Sequence, residues 1–134
     1  MAEGYDPKRS SISEDALATF LRNPITGDIT QVPGIGKAAA AALASADDDE
    51  PITNSFQLIG KFLLMKGPDT EEGEVDCVMH CNKFWYYLKS KGVNSHRSGI
   101  VHAIAEKINT MIPGIYDSDV FEDEDEDEED KEDA

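Results

Sequence analysis

The stretch Ile29-Thr30-Gln31-Val32-Pro33-Gly34-Ile35-Gly36-Lys37 decides the fold of this chain. Ile29 and Val32 have the spacing of one helical turn. Behind Lys37, five alanines lead to Leu43 and predict a second helix, because alanine has the highest helix propensity. The two glycines let the backbone turn tightly and approach a partner with no Cβ in the way. The stretch therefore predicts two short helices joined by a tight hairpin.

The start of the second helix carries the chemistry of this hairpin, which resembles the helix-hairpin-helix motif. The first amides of a helix have no acceptor within the helix, and the helix dipole favours an anion in front of them. Ile35 is expected to fill the gap between the helices, and Lys37 to add a phosphate contact. Such a site binds the DNA backbone and reads little sequence. The alternative is a glycine turn without a ligand, and the surrounding pattern favours the DNA hairpin.

The remaining segments predict an all-α, compact bundle of about five helices. Apolar residues recur at helical spacing in residues 17–21, 56–65, 75–91 and 100–111, and no segment alternates apolar and polar residues as a strand does. Residues 56–65 are apolar around most of the helix, which indicates a position central to the core or in an interface. Cap residues mark the helix starts: Ser10, Ser11 and Ser13 for the first, Thr53, Asn54 and Ser55 for the third, Asn94 and Ser95 for the last.

Charge is distributed unevenly along the chain. The 134 residues carry 28 acidic and 12 basic side chains and a net charge of −16. Residues 117–134 hold 13 of the acids and one lysine, a block that cannot bury apolar area. We therefore expect a disordered N-terminus (1–9), a helical domain (10–116) and a disordered acidic tail (117–134). The tail either solvates the protein, competes with DNA at the hairpin, or engages basic, histone-like chromatin proteins.

Several classes of protein are excluded by composition and motifs. No run of about 20 apolar residues predicts a membrane span, and the polar first ten residues do not resemble a secretory signal. Two cysteines cannot staple a secreted scaffold, which favours a reducing compartment. We find no nucleophile elbow, phosphate loop or metal-ligand set. The sequence thus predicts a protein that is not an enzyme and has no cofactor.

One helical face carries Cys77, His80 and Cys81. Thiolates and imidazole are zinc ligands, but a fourth ligand is not present in the pattern. We therefore predict no metal site here, and interpret the residues as buried thiols and a histidine on the helix surface.

Further along the chain, several short segments keep a fixed order. They are Phe20-x-x-x-Pro24-Ile25, the hairpin, residues 58–66 (Leu-Ile-Gly-Lys-Phe-Leu-Leu-Met-Lys), then Trp85, Leu88 and Lys89, and Gly92-Val93-Asn94. They resemble the barrier-to-autointegration factor family of small all-helical DNA-bridging proteins. The corresponding family stretches read Phe-x-x-x-Pro-Met, Leu-Gly-Gln-Phe-Leu-Val-Leu-Lys, Trp-Leu-Lys and Gly-Ala-Asn. The resemblance covers about residues 10–112.

The resemblance implies a nuclear homodimer with one outward DNA site in each protomer, so that one dimer bridges two duplexes of double-stranded DNA. Carried over by position, the DNA-binding residues are Gly34, Ile35, Gly36 and Lys37, with Asn94, Ser95, His96 and Arg97 at the start of the last helix. Phosphorylation near the N-terminus releases DNA in that family, which makes Ser10, Ser11 and Ser13 candidate phosphorylation sites through added negative charge; plain helix capping is the alternative.

The chain also departs from the family pattern. Ala41 and Ala42 stand where the family places lysines, and Gly99 replaces a basic residue of the last helix. Affinity for DNA falls as fewer phosphates are neutralised. We expect weaker and more salt-sensitive DNA binding than in the family. The second hypothesis is a protein-interaction module that kept the fold, lost most DNA binding and binds basic partners through its acidic tail.

Overall fold

The computed structural model describes residues 4–10, 12–45, 51–67 and 77–117, and these residues form helices and connecting turns. The helices are α1 (Glu14–Arg22), α2 (Lys37–Ala44), α3 (Ser55–Leu64), α4 (Cys77–Ser90) and α5 (Arg97–Met111), with 3₁₀ turns at Pro7–Arg9 and Ile29–Gln31. No strand occurs in the part of the chain that the structure describes. The predicted all-α bundle of about five helices is confirmed.

Side-chain caps begin two of these helices at positions that the sequence indicates. Ser13 accepts a hydrogen bond from the Ala16 amide at 3.0 Å and so caps α1. Asn54 accepts one from the Gln57 amide at 2.8 Å and caps α3. Each cap satisfies an amide that has no acceptor within its own helix.

The centre of the core is α5. Its residues are buried around most of the helix, and small residues such as Gly99, Ala103 and Ala105 let α1, α4 and the Pro7–Arg9 turn pack closely against it. The helix at 56–65, one candidate for the centre, buries Ser55, Leu58 and Phe62 on one side only. The other side of α3 remains exposed.

A buried lysine closes the end of α1. Lys107 of α5 donates from Nζ to the carbonyl oxygens of Phe20 (2.9 Å), Leu21 (3.0 Å) and Asn23 (2.5 Å). The last carbonyls of a helix lack partners within the helix, so this ammonium group satisfies them from another element. Burial lowers the pKa of Lys107.

The N-terminal segment is ordered from residue 4, which corrects the expectation of disorder over residues 1–9. Tyr5 is buried, and its hydroxyl lies 2.7 Å from that of Tyr116. The Tyr5 amide donates to Asn82 Oδ1 of α4, and the Asp6 amide donates to Ser98 Oγ of α5. Sequence reasoning missed this packing because the partners lie 77 to 111 residues away. Residues 1–3 lie outside the described residues.

The acidic tail falls outside the described residues from position 118 onward. The two residues before it are placed: Tyr116 is buried against Tyr5, and the Asp117 carbonyl lies 3.7 Å from Cys77 Sγ. Within the described ranges, no helix has the length and apolar character that a membrane crossing requires.

Candidate nucleic-acid interface

The hairpin turns at Gly34, which has a φ of +96°. A Cβ at this position would lie 2.9 Å from Ile100 Cγ1 and 3.3 Å from His96 Cβ. Glycine is therefore required by both the backbone conformation and the close approach. Ile35 is buried, as predicted for the residue that fills the hairpin. The turn is packed directly onto the beginning of α5.

Gly36 is the N-cap of α2 and has a different environment. Its φ is −103°, and a Cβ built on it would meet nothing within 4 Å. No side chain caps this helix start. Glycine is thus not required for packing at this position, and its absence of a side chain leaves the first amides of α2 open to an approaching group.

The beginning of α5 also has no side-chain cap. Its N-cap residue is His96, which has φ 62° and ψ 22° and is the only non-glycine residue with positive φ in the described chain. The sequence favoured Asn94 or Ser95 as the cap, and that expectation is wrong. An L-residue rarely adopts the left-handed region, and here the contact of Gly34 with His96 and Ile100 holds the turn in place.

These two uncapped helix starts open onto one cavity of about 580 Å³. The hairpin and the beginning of α2 form one wall, and the turn before α5 forms the opposite wall. The lining residues are Ile12, Thr30, Val32, Pro33, Gly34, Ile35, Gly36, Lys37, Ala38, Ala39, Ser95 and His96. The two groups of residues proposed from sequence, 58 positions or more apart in the chain, therefore meet.

Two of the predicted site residues do not line this cavity. Asn94 is exposed beside it. Arg97 turns away: its guanidinium carbon lies 4.3 Å from the centre of the Trp85 ring, and Nη1 donates to the Val93 carbonyl at 2.7 Å. The guanidinium is thus engaged in stacking and in fixing the loop before α5. Sequence position alone could not reveal this inward orientation.

The cavity favours an anion by its backbone rather than by many cations. Lys37 is the only lysine or arginine among the described lining residues, and none of those residues is acidic. Two helix N-termini add the equivalent of a fraction of a positive charge each, within the first turn. A phosphate oxygen seated here would receive amide hydrogen bonds from both helices.

Residues that sequence reasoning missed also line the cavity. Ile12 and Thr30 contribute to its rim, and Ile12 carried one signal, since it is the single apolar residue within a serine cluster. Of the candidate phosphorylation sites, Ser13 is exposed and caps α1, whereas the Ser10 hydroxyl oxygen is buried. Ser11 lies outside the described residues.

The Cys77, His80 and Cys81 face is part of the core. Both thiols are buried and not in a disulfide, as predicted, and burial raises the pKa of Cys81. His80 is buried too, which corrects its placement on the helix surface: its ring stacks on Phe62 at 4.1 Å, and Nε2 lies 2.6 Å from the Phe62 carbonyl oxygen. The described residues contain no group of three such side chains able to hold a metal ion.

Comparisons of the chain with models of protein families, with curated proteins and with solved structures found no match.

Proposed function

We propose that the protein binds double-stranded DNA without sequence specificity and, as a homodimer, bridges two duplexes in chromatin within the nucleus. The observation that carries the proposal is the cavity in which two uncapped helix starts, α2 and α5, face each other across the hairpin. Resemblance to the barrier-to-autointegration factor family supports the same function.

The chemistry of the cavity suits a phosphate backbone. Gly36 presents the α2 amides with nothing in front of them, and DNA offers closely spaced oxyanions along each strand. Lys37 is exposed at the rim and supplies the direct cation contact. Contacts of this kind position a duplex without reading its bases, which is the reason that we propose binding without sequence specificity.

The dimer is proposed from the uncovered side of α3. Phe56 and Leu64 are 60% and 76% exposed, while Leu63 is half-buried. Large apolar side chains that share a helix face and remain in water mark an interaction surface. A second copy of the chain that covers this face would place two hairpin cavities on one particle, which bridging requires.

The test is fluorescence anisotropy of a short duplex of arbitrary sequence, titrated with the full chain at several salt concentrations. We expect binding that weakens steeply with salt, since each neutralised phosphate contributes to the slope. Gly36→Glu places a carboxylate at the mouth of the cavity and should remove binding while leaving helicity unchanged.

Gly27→Glu is the matched control for that variant. A Cβ at Gly27 also meets nothing within 4 Å, and Gly27 does not line the cavity. Both variants add one negative charge, so general repulsion of DNA affects them equally. Equal affinity of the two folded variants, or full affinity in Gly36→Glu, removes the hairpin from the mechanism.

A second candidate function is a protein-interaction module with basic partners. The observation that favours it is the scarcity of cations at the cavity, where Lys37 stands alone among the described lining residues and Arg97 stacks on Trp85. Under this hypothesis, neither the wild type nor the variants bind the duplex at low salt, and the full chain instead binds a purified histone-like protein with strong salt dependence.

A further inference from the structure

The outer face of α4 combines apolar and basic side chains. Met79 and Tyr86 are 54% and 44% exposed. Lys83 lies between them in the sequence and is also exposed, so that the three positions follow the i, i+4, i+7 spacing of one helix face. Lys89 is exposed one turn further on. We call Met79, Lys83, Tyr86 and Lys89 the α4 outer face. None of them lines the hairpin cavity.

The described chain stops beside the beginning of this helix. The Asp117 carbonyl lies 3.7 Å from the Sγ atom of Cys77, the first residue of α4. Tyr116 is fixed by burial and by the hydroxyl contact with Tyr5. The residues that follow therefore leave from a defined point, on the core side of the first turn of α4.

The next residues of the sequence have the chemistry that this face needs. Val120 and Phe121 are the only large apolar residues after Asp117, and Glu122-Asp123-Glu124-Asp125 follows directly. Apolar side chains suit Met79 and Tyr86, and the carboxylates suit the two lysines. The segment thus matches the α4 outer face in both apolar character and charge.

The distances also match. A helix with its side chains is about 10–12 Å across, and three to four extended residues span about 10–14 Å. Val120 and Phe121 are three and four residues beyond Asp117, which is the length needed to pass from the Cys77 side of α4 to the opposite side. Lys89 is about 18 Å from Cys77 along the axis at 1.5 Å per residue, within reach of the carboxylates that follow Phe121.

We propose that residues 119–125 of the same chain dock on the α4 outer face, with Val120 and Phe121 against Met79 and Tyr86 and the following carboxylates beside Lys83 and Lys89. Docking covers an exposed apolar patch and keeps the first part of the acidic block on α4, at residues that are not part of the hairpin cavity. This inference does not depend on DNA binding.

The test is NMR spectroscopy of the full chain with labelled methionine methyl groups and a labelled backbone. We expect a nuclear Overhauser effect between the Met79 methyl group and the Phe121 ring, and slower amide exchange at residues 120–124 than at residues 128–133. Both signals should be lost in Met79→Gln and weakened in Lys83→Glu. Met111→Gln is the matched control, since Met111 is 55% exposed on another helix, and it should leave both signals unchanged.

Three results overturn the proposal. In the first, the contact is missing and residues 120–124 exchange as fast as the end of the chain. In the second, Phe121→Ser moves the amide resonances of residues 34–39 instead of those of α4, so that the tail occupies the hairpin. In the third, the contact appears only between differently labelled chains in a mixed sample, so that the tail of a second copy covers the face.

Discussion

The helix ends of this protein fall into two groups. One group is satisfied inside the molecule: Ser13 and Asn54 cap the starts of α1 and α3, and Lys107 closes the end of α1. The other group consists of the starts of α2 and α5, which have no side-chain cap and share one cavity. A chain that caps its other described α-helix starts and leaves these two open has kept backbone amides available for a ligand.

The largest effect is expected where a satisfied end is broken. Lys107→Met retains the apolar stem but leaves the carbonyls of Phe20, Leu21 and Asn23 buried without their donor. Since each unsatisfied buried group costs about 1–3 kcal/mol, we expect a loss of about 3 kcal/mol or more in the free energy of unfolding, measured by urea denaturation. Lys37→Met, at an exposed position, should stay within about 0.5 kcal/mol. Equal losses would mean that Lys107 does not close α1.

The next effect separates the two hairpin glycines. Gly34→Ala combines a positive φ with a Cβ only 2.9 Å from Ile100 Cγ1, and we expect a loss of about 2 kcal/mol. Gly36→Ala meets no atom within 4 Å and should change stability by less than about 0.5 kcal/mol. Thermal denaturation of both variants checks this. A stable Gly34→Ala protein would contradict the close packing of the hairpin on α5.

The third effect depends on pH, through the histidine that binds the last turn of α3. Burial first, and then Lys66 and Lys83, lower the pKa of His80 in the folded state, while the Phe62 carbonyl opposes the shift. The unfolded chain, whose histidine pKa is near 6.5, therefore binds more protons below that pH. Folding stability from His80 is present above about pH 6.5 and is lost as the pH falls toward the folded-state pKa, by at most about 1.4 kcal/mol per pH unit.

His80→Gln should remove this part of the pH dependence. Urea denaturation of both proteins at pH 5 and pH 7.5 measures it as the difference between two differences. The prediction fails if the variant loses as much stability on acidification as the wild type.

The smallest effect concerns a single cap. Asn54→Ala removes the side-chain acceptor of the Gln57 amide, which costs about 1 kcal/mol in typical helices. The same truncation at the other kind of helix start, His96→Ala, has no cap bond to remove. Chemical denaturation of the two variants should therefore show the greater loss for Asn54→Ala, and the reverse order would contradict the division into capped and open starts.

Local signals in the sequence were sufficient for the helices and for the hairpin. Ser13, Asn54 and Gly34 act through neighbours a few residues away, so their roles could be predicted from the chain alone. The orientation of Arg97 toward Trp85, the burial of His80 against Phe62 and the docking of Tyr5 on Tyr116 depend on distant partners. Those contacts are set by how the helices pack, and periodicity carries no information about them.

The most direct measurement is a titration of the labelled full chain with a short duplex, followed by the amide resonances of the helix starts. The account predicts that the amides of residues 37–39 and 97–99 shift together as DNA is added, while those of Ala16 and Gln57, already bonded to their caps, do not. Saturated DNA binding that leaves the amides of residues 37–39 unmoved would contradict the claim that the open helix starts receive the phosphate backbone.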